Sequence, residues 1–171
     1  MSSETITTAL FLITAVIAAS VLITAIFPAI FQMAGTFSSA SHAADQNIRT
    51  DFKIISHNVD TSTTPSSPVV YIWMKNVGSA QIPLSDIQSS DVFCGDVGSF
   101  GRLNFIGLGT GSPGNGNWED QPMAPANPNY WDPGETLEVV AQTSKITGNN
   151  DVYFQFVLPD GIWRAIQISQ S

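Results

Sequence analysis

A forty-residue stretch without a charged side chain constrains this chain more than any other feature. From Thr5 to Ala44 the sequence has no Asp, Glu, Lys or Arg. Roughly 20 apolar residues in a helix cross the hydrocarbon core of a bilayer, and the apolar part here runs from about Ile6 to Ile30. Its few polar members are Thr and Ser, whose hydroxyls can bond a carbonyl one turn back. We therefore predict one membrane-spanning helix.

The residues that precede the apolar run indicate that it is retained. A secretory signal begins with basic residues and has a shorter apolar core, whereas "MSSE" carries an acid and no base. The basic leader of a prepilin is missing as well. Pro28 is expected to kink the helix or to end it. Beyond Pro28 the sequence is amphiphilic and rich in Ala, Ser and Gly, so it either continues as an exposed helix or forms a flexible stem.

Small residues recur at four-residue spacing within the apolar run. The pairs are Ala15 with Ala19 and Ala25 with Ala29. Small residues at this spacing let membrane helices approach closely, although alanine is also simply common in such helices. These four residues are a hypothesis for helix association.

Charge divides the chain into two parts and excludes some partners. The net charge is −8, and Glu4 is the only charged residue before Asp45. The six basic residues are scattered, so neither nucleic acid nor an anionic lipid surface is an expected partner. We predict a membrane-anchor helix and stem at 1–45 and a separate domain at 46–171.

The orientation of the helix is weakly specified by charge. Arg49 and Lys53 are the nearest basic residues, and by the positive-inside rule they would place the C-terminal side in the cytoplasm. The acidic, Lys-poor composition of the second part favours the opposite. We predict a single-pass protein of the cytoplasmic membrane with its C-terminal domain outside.

The second part has the pattern of short strands separated by turns. "ETLEVVAQT" alternates, with Leu137, Val139 and Ala141 on one face, and "PDG" between "DVYFQFVL" and "IWRAIQIS" is a strong hairpin signal. The other candidate strands are "FKIISHNV", "PVVYIWMKNVG", "AQIPLSDI", "DVFCG" and "RLNFIGLG". About seven strands without a helical period predict an antiparallel, immunoglobulin-like β-sandwich. The Cys…Trp…Cys signature of antibody domains is missing.

A long segment rich in Gly, Pro and Asn interrupts this pattern between Gly107 and Pro133. Long loops in compact domains are commonly functional or mobile, and this one carries Trp118, Tyr130 and Trp131. We predict a partner-contact loop formed by these three aromatic residues. The alternative is that Trp131 plugs one end of the sandwich, and the same structural role is open for Trp118.

Residue groups that perform catalysis or hold cofactors are not apparent in the sequence. Cys94 is the one cysteine and is interpreted as a small buried residue on a strand, while His42 and His57 are distant from it. These three cannot form a zinc site, and no phosphate-binding glycine loop is present. The Asp/Asn-rich loops leave calcium binding possible in principle, but the spacing of an EF-hand loop is missing. We predict no enzymatic activity, no cofactor, no metal site and no small-molecule substrate.

Three stretches carry a family resemblance. The opening "SSETITTALFLITAVIAASVLITAIFPAIFQMAGTFSSA", joined to an acidic sandwich, resembles the archaellin superfamily and, within it, the FlaG family of archaellum accessory proteins. "VVYIWMKNVGSAQIPLSDI" is similar to the strand–turn–strand of that family with "KNxGS" at the turn. "WDPGETLEV" resembles its "W-x-P-G-E-T-L" block. The "AVIAASVLI" core is equally similar to archaellins.

The resemblance implies a membrane-anchored stator of the archaeal rotary motor. Its sandwich would self-associate, would work with a FlaF-like paralogue and would be fixed to the S-layer. Three alternatives stay open. One is an archaellin or type IV pilin-like filament subunit, for which Glu4 resembles the acid near the start of pilins. The others are a membrane-tethered binding module that uses the 107–133 loop, and a secreted enzyme.

Overall fold

The computed structural model describes residues 2–62, 64–109, 111–123, 127–148 and 150–170. Within it the chain forms two compact units, 1–45 and 46–171.

Helix α1, Ser2–Arg49, is one continuous helix of 48 residues. Hydroxyls of Thr7, Thr8 and Thr24 donate to carbonyls four residues earlier at 2.8 Å, so these polar groups are satisfied within the helix. Pro28 lies inside the helix and does not end it, although its ring removes one backbone hydrogen bond. The sequence after Pro28 is therefore helical here, and the flexible-stem alternative is not what the structure shows.

Ten strands and one short helix make up the second unit. In chain order they are β1 (Phe52–Asp60), β2 (Val69–Asn76), β3 (Ile82–Pro83), α2 (Leu84–Gln88), β4 (Asp91–Asp96), β5 (Gly101–Leu108), β6 (Asn117–Met123), β7 (Tyr130–Trp131), β8 (Thr136–Gln142), β9 (Val152–Val157) and β10 (Trp163–Ile168).

Eight of these strands form one hydrogen-bonded series, β1-β2-β8-β6-β5-β4-β9-β10, and β3 pairs with β7. Strand β5 changes partner along its length: Leu103 lies opposite Val92 of β4, whereas Asn104 and Phe105 pair in parallel with β6. This change of partner folds the series into two layers, β1-β2-β8-β6 and β5-β4-β9-β10. The predicted β-sandwich preceded by a long apolar helix is confirmed.

Aromatic rings from both layers meet in the core. The Phe52 ring lies edge-on to Phe156 at 5.6 Å and contacts Trp131 at 6.0 Å, and Phe156 contacts Trp118 at 5.9 Å. Trp118 then contacts Phe105 at 4.7 Å. We call these five rings the aromatic chain. The first four are at most 2% exposed, so they form the centre of the core.

Two strand predictions are confirmed in detail. Leu137, Val139 and Ala141 of β8 are fully buried on the inner face. The "PDG" turn joins β9 to β10, with the Gly161 N–H donating to the Leu158 carbonyl at 2.9 Å. Gly161 has φ +86°, a conformation that glycine adopts without strain.

The stretch "AQIPLSDI" is mostly not a strand, contrary to the prediction. Only Ile82 and Pro83 are extended, and helix α2 follows at once. Pro83 begins this helix with φ −60°. Leu84 and Ile87, three residues apart, then both face the core, which is helical and not strand spacing.

The interpretation of 107–133 as one long loop is wrong for its centre, because "NWEDQPM" is strand β6 between β5 and β8. Its acids Glu119 and Asp120 are 1% and 0% exposed, and such a polar run is not typical of an interior strand. Trp118 and Trp131 are also buried, so these rings cannot contact a partner. Tyr130 is 38% exposed, and its partner role stays a prediction.

Replacing Trp131 by alanine should destabilise the sandwich by about 3–5 kcal/mol, since a large buried ring is lost. Denaturant unfolding of the full chain in detergent micelles, followed by the β-sheet circular dichroism signal, measures the change. The neighbouring Tyr130→Ala is the control and should cost on the order of 0.5 kcal/mol. Equal losses for the two variants would contradict the burial of Trp131.

Candidate anchoring and assembly surfaces

Helix α1 is the one described helix long and apolar enough to cross a membrane. At 1.5 Å per residue its 48 residues span about 72 Å, against about 30 Å of hydrocarbon in a bilayer. Helix α1 is therefore about 40 Å longer than the hydrocarbon core of a bilayer is thick.

The four alanines of the helix-association hypothesis lie within an arc of about 120° around α1. Ala15 and Ala19 are about one turn apart and share a side, and so do Ala25 and Ala29. At 3.6 residues per turn the centre of the second pair lies roughly 80° from the centre of the first, and Ala15 and Ala29 are about 40° apart. All four side chains are exposed, and the role of each pair in helix association stays a prediction.

The two sequence blocks that carry the family resemblance meet at one corner of the sandwich. The buried Asn76 amide of "KNVGS" donates to the carbonyls of Ala80 and Trp131, each at 3.0 Å, and its oxygen accepts from the Gly78 N–H. The Trp131 indole N–H of "WDPGET" donates to the Glu135 carbonyl at 3.0 Å. We call this network the Asn76 corner.

The end of α1 is held by the same turn. The Arg49 carbonyl accepts from the N–H groups of Ser79 and Ala80 at 2.8 and 3.1 Å, and the Asp51 carbonyl accepts from Val77 and Gly78 at 3.0 and 2.9 Å. A Cβ on Gly78 would collide with the Arg49 carbonyl oxygen. This close approach explains the glycine of "KNVGS".

An ion pair connects this turn and the start of β1 to the opposite layer of the sandwich. Arg164 of β10 pairs with Asp51, and its guanidinium lies 5.7 Å from the centre of the Phe52 ring. Both groups of the ion pair are partly exposed, so its own contribution is modest. Its position nevertheless connects β10 to the start of β1.

An open groove of about 610 Å³ lies beside the Asn76 corner. It is bordered by Gln46–Thr50, by Ser79–Pro83 and by Leu158–Asp160 of the hairpin turn, with Tyr130 at its wall. Of the three aromatic residues singled out from the sequence, Tyr130 is the one placed where a partner could touch it.

The acids of β6 and β8 are structural. The Glu119 carboxylate accepts from the Gly111 N–H, and its charge, after burial, contributes to the raised pKa of Glu138. Burial, followed by the charges of Asp60, Glu138 and Glu119, likewise raises the pKa of Tyr71. Glu119 thereby holds the backbone at Gly111 against the sheet.

Asp120 is the least satisfied polar group of the sandwich. It is fully buried, and neither carboxyl oxygen has a hydrogen-bond partner among the described residues. Burial, with a smaller contribution from Glu119, raises its pKa to about 6. Such a carboxyl is costly when it is ionised.

The remaining chemical candidates are dispersed. Cys94 is buried as predicted, and burial raises the pKa of its thiol to about 12. His42 and His57 are exposed in different units. Across the residues that the structure describes, no three His, Cys, Asp or Glu side chains are arranged to hold a metal.

Both edge strands carry features that oppose pairing with another chain. Strand β1 has an irregularity between Ile54 and Ser56 and an exposed Lys53. On β10 the Arg164 side chain donates to the Trp163 carbonyl at 2.7 Å. Bulges and charges of this kind protect sheet edges, so we expect assembly through surfaces other than strand addition.

A long apolar helix, compatible with a single membrane span, is joined to a β-sandwich in this chain. The chain belongs to the archaeal-type flagellin family, whose sequence model matches residues 2–168. It is thus a structural component of archaeal motility machinery and not an enzyme.

The chain is also similar to a protein of known sequence and to solved structures. The chain is 29% identical to an uncharacterized protein of Archaeoglobus fulgidus over 167 residues, 95% of each chain. Its fold is similar to the archaellum periplasmic stator protein FlaG from Sulfolobus acidocaldarius, with a TM-score of 0.51, 21% identity and coverage of 70% of this chain and 99% of that one. The FlaF and FlaG complex of the same organism aligns with a TM-score of 0.49 at 22% identity, over 68% and 87% of the chains.

Sequence reasoning did not single out Asn76. The signal was present, because an Asn two residues before a glycine at the end of a strand is typical of a side chain that bonds its own turn. Its bond to the Trp131 carbonyl, 55 residues away, follows only from the three-dimensional fold.

Asn76→Asp should destabilise the sandwich by more than about 2 kcal/mol, because a carboxylate cannot donate to the two carbonyls that the amide now satisfies. Thermal unfolding of the full chain in detergent measures the loss. The same change at the exposed Asn104 of β5 is the matched control and should be nearly neutral. A small effect at Asn76 would show that the corner is not a stabilising network.

The stability of the sandwich should fall as pH rises through the range of Asp120. The pKa of Asp120 is raised to about 6 in the fold against 3.8 for a free side chain, so the neutral form is favoured by folding. The contribution of Asp120 to stability should be fully present below about pH 4 and be lost, by about 3 kcal/mol, as the pH rises to about 6. Asp120→Asn should flatten this slope in denaturant titrations between the two pH values. Parallel slopes in variant and parent would contradict the assignment.

Proposed function

We propose that the chain is a membrane-anchored stator subunit of an archaellum. Helix α1 crosses the cytoplasmic membrane once, and the sandwich lies outside it. The observation that carries the proposal is that 99% of the S. acidocaldarius stator protein FlaG aligns with this chain. The apolar helix supports it, since a stator must be fixed in place.

The mechanical role follows from the arrangement within the sandwich. A stator transmits force between the membrane and the envelope, so the end of the helix must not pivot freely. The carbonyls of Arg49 and Asp51 accept four backbone hydrogen bonds from the turn at Val77–Ala80. Together with the pair between Asp51 and Arg164, these bonds hold the end of α1 to both layers of the sandwich.

The proposal also includes the partners of this stator. Self-association, a FlaF-like paralogue and the S-layer are implied by the resemblance of the sequence to the FlaG family. The groove beside the Asn76 corner, with the exposed Tyr130, is the described surface that we assign to such a contact.

A filament subunit is the second candidate. It is favoured by the family match itself, which is to archaeal-type flagellin and includes α1. An apolar helix that is exposed on all sides would also fit the packed core of a filament.

Fractionation of cells separates the two functions. Surface filaments are sheared off, and the filaments and the washed membranes are probed with an antibody to the sandwich. A stator should be found in the membranes and not along the filaments, because it is held by its own membrane span. Abundant protein in the sheared filaments would contradict the stator proposal and support the filament-subunit function.

Protease accessibility of intact cells tests the orientation separately. The sandwich should be cleaved from outside once the envelope is permeabilised, with the membrane still sealed. Protection until the membrane itself is lysed would place the sandwich in the cytoplasm.

A further inference from the structure

We propose that the loop between β1 and β2 carries sugars linked to the hydroxyl oxygens of Thr61 and Ser66, added by a separate glycosyltransferase from a phosphate-activated sugar. The inference rests on the proposed function only in that the sandwich lies outside the membrane. It assigns a modification site to the hairpin whose strands end at Asp60 and resume at Val69.

The composition of this loop is not that of an ordinary hairpin turn. Residues 61–68 read "TSTTPSSP", eight consecutive residues that are all Ser, Thr or Pro. Hairpin loops are usually about two to five residues long, and tight hairpin turns depend on Gly, Asn or Asp, none of which occurs here. Segments rich in Ser and Thr with Pro are typical of O-glycosylated chains. The composition therefore indicates an acceptor segment and is not explained by the turn alone.

Two prolines keep the loop out of regular secondary structure. Neither Pro65 nor Pro68 has an N–H to donate, and the residue before each proline is disfavoured in the helical conformation. Asp60 and Val69 form the last pair of the β1–β2 ladder, so all eight loop residues lie beyond the paired strands. A transferase needs such a segment, because the acceptor backbone must enter its site without breaking the hydrogen bonds of a strand or helix.

The contacts of the loop engage or bury three of its hydroxyl groups. The Thr64 hydroxyl donates to the Ser67 carbonyl at 2.7 Å, and that carbonyl also accepts from the Gln142 amide of β8 at 3.1 Å. The Ser62 hydroxyl donates to the Asp60 carboxylate at 2.6 Å. The hydroxyl oxygen of Ser67 is buried. These three hydroxyls are therefore poor acceptors.

The hydroxyls of Thr61 and Ser66 are available. Both side chains are exposed, and neither hydroxyl forms a hydrogen bond with another described residue. Ser66 is a central residue of the turn that the Ser67 N–H closes by donating to the Thr64 carbonyl at 3.0 Å. Thr63 lies outside the described residues. Thr61 and Ser66 are thus accessible to a transferase while the sandwich stays folded.

A linkage through oxygen is the one that this sequence offers to a sugar. The acceptor pattern for sugars on asparagine is Asn-X-Ser/Thr, and it does not occur in the 171 residues. Phosphate is another group that Ser and Thr hydroxyls accept. Its donor, a nucleoside triphosphate, belongs to the cytoplasm, whereas the proposed function places the sandwich outside the membrane.

The transfer is a substitution at the anomeric carbon of the sugar donor. The hydroxyl oxygen of Thr61 or Ser66 forms a bond to that carbon, and the bond between the carbon and the donor phosphate breaks. The phosphate leaves with the bonding electron pair, as part of a nucleotide or a polyprenyl phosphate. The hydroxyl proton passes to a base of the transferase, and neither an oxidant nor a reductant is needed.

Sugars at this position would cover an open edge of the sandwich. Strand β1 ends the hydrogen-bonded series and pairs on one side only, with β2. Its Ile55 side chain is 53% exposed. Attached sugars are bulky and hydrated, so they would hinder another chain from pairing with this edge. They would add to the protection that the irregularity between Ile54 and Ser56 provides.

Peptide mass spectrometry tests the site, because trypsin releases the whole loop in one piece. Cleavage after Lys53 and Lys75 gives the peptide 54–75. Full-length protein is isolated from washed membranes of native cells and compared with full-length protein from cell-free synthesis, which lacks activated sugars. We expect the native peptide to be heavier by the mass of one or more sugar residues. Electron-transfer fragmentation should place these residues on Thr61 and Ser66.

Two adjacent serines supply the matched control. Ser66→Ala should lower the added mass, because one acceptor is lost. Ser67→Ala should leave the added mass unchanged, because the Ser67 hydroxyl is buried. Thr61→Ala combined with Ser66→Ala should abolish the added mass. Sugar confined to other residues of the peptide would overturn the assignment of Thr61 and Ser66.

The outcomes separate this inference from the proposed function. An unmodified peptide from protein in washed membranes would overturn the glycosylation and leave the stator function intact, and so would the added mass of a phosphate. A sugar-bearing peptide from protein that is found in sheared filaments would overturn the stator function. It would still support the glycosylation, since filaments also lie outside the cell.

Discussion

The contact of Phe52 with Phe156 connects the two layers of the sandwich, and most of the second unit is arranged around it. Phe52 is the first residue of β1, while Phe156 lies in β9 of the other layer, and their rings meet edge to face at 5.6 Å. Edge-to-face pairs are favoured by the charge distribution of aromatic rings. Trp131 and Trp118 extend this contact in both directions. The aromatic chain thereby fixes the start of β1, and β1 is the first strand after α1.

The polar groups near Phe52 add hydrogen bonds and an ion pair to this packing. Asp51 precedes Phe52 in the chain, pairs with Arg164, and offers its carbonyl to the turn after β2. Asn76 connects that turn to the Trp131 carbonyl. Because Trp131 is one of the five rings of the aromatic chain, the hydrogen-bond network and the aromatic chain meet at this residue. A buried amide with all of its hydrogen bonds formed specifies one arrangement of the backbone. Apolar packing and hydrogen bonding therefore converge where force from the helix would reach the sandwich.

The sequence reveals the architecture more readily than the details of this anchorage. Strands with a regular alternation, such as "ETLEVVAQT", and the "PDG" hairpin are recognisable because local pattern and tertiary burial agree. Strand β6 is not, since its buried acids Glu119 and Asp120 have the composition of a loop. Its strand identity comes from neighbours on both sides, β5 and β8, which are distant in the chain.

The candidate contact residues also could be predicted only where the local sequence pattern agrees with the burial in the fold. Trp118 and Trp131 look like surface aromatics because they lie between Gly, Pro and Asn residues, yet both rings belong to the core. Asn76 was visible only as part of a turn, and its long-range bond depends on the meeting of two blocks 55 residues apart. The anchor helix, in contrast, needs no tertiary information, because its length and composition are sufficient.

The two units of the chain differ in the properties that govern assembly. The sandwich is acidic and has protected edges, both of which favour a domain that remains discrete. The helix is uncharged over forty residues and exposes its apolar side chains, which favours association. A filament subunit would need its sandwiches to pack side by side as well, and the repulsion between domains that carry nearly all of the charge opposes this.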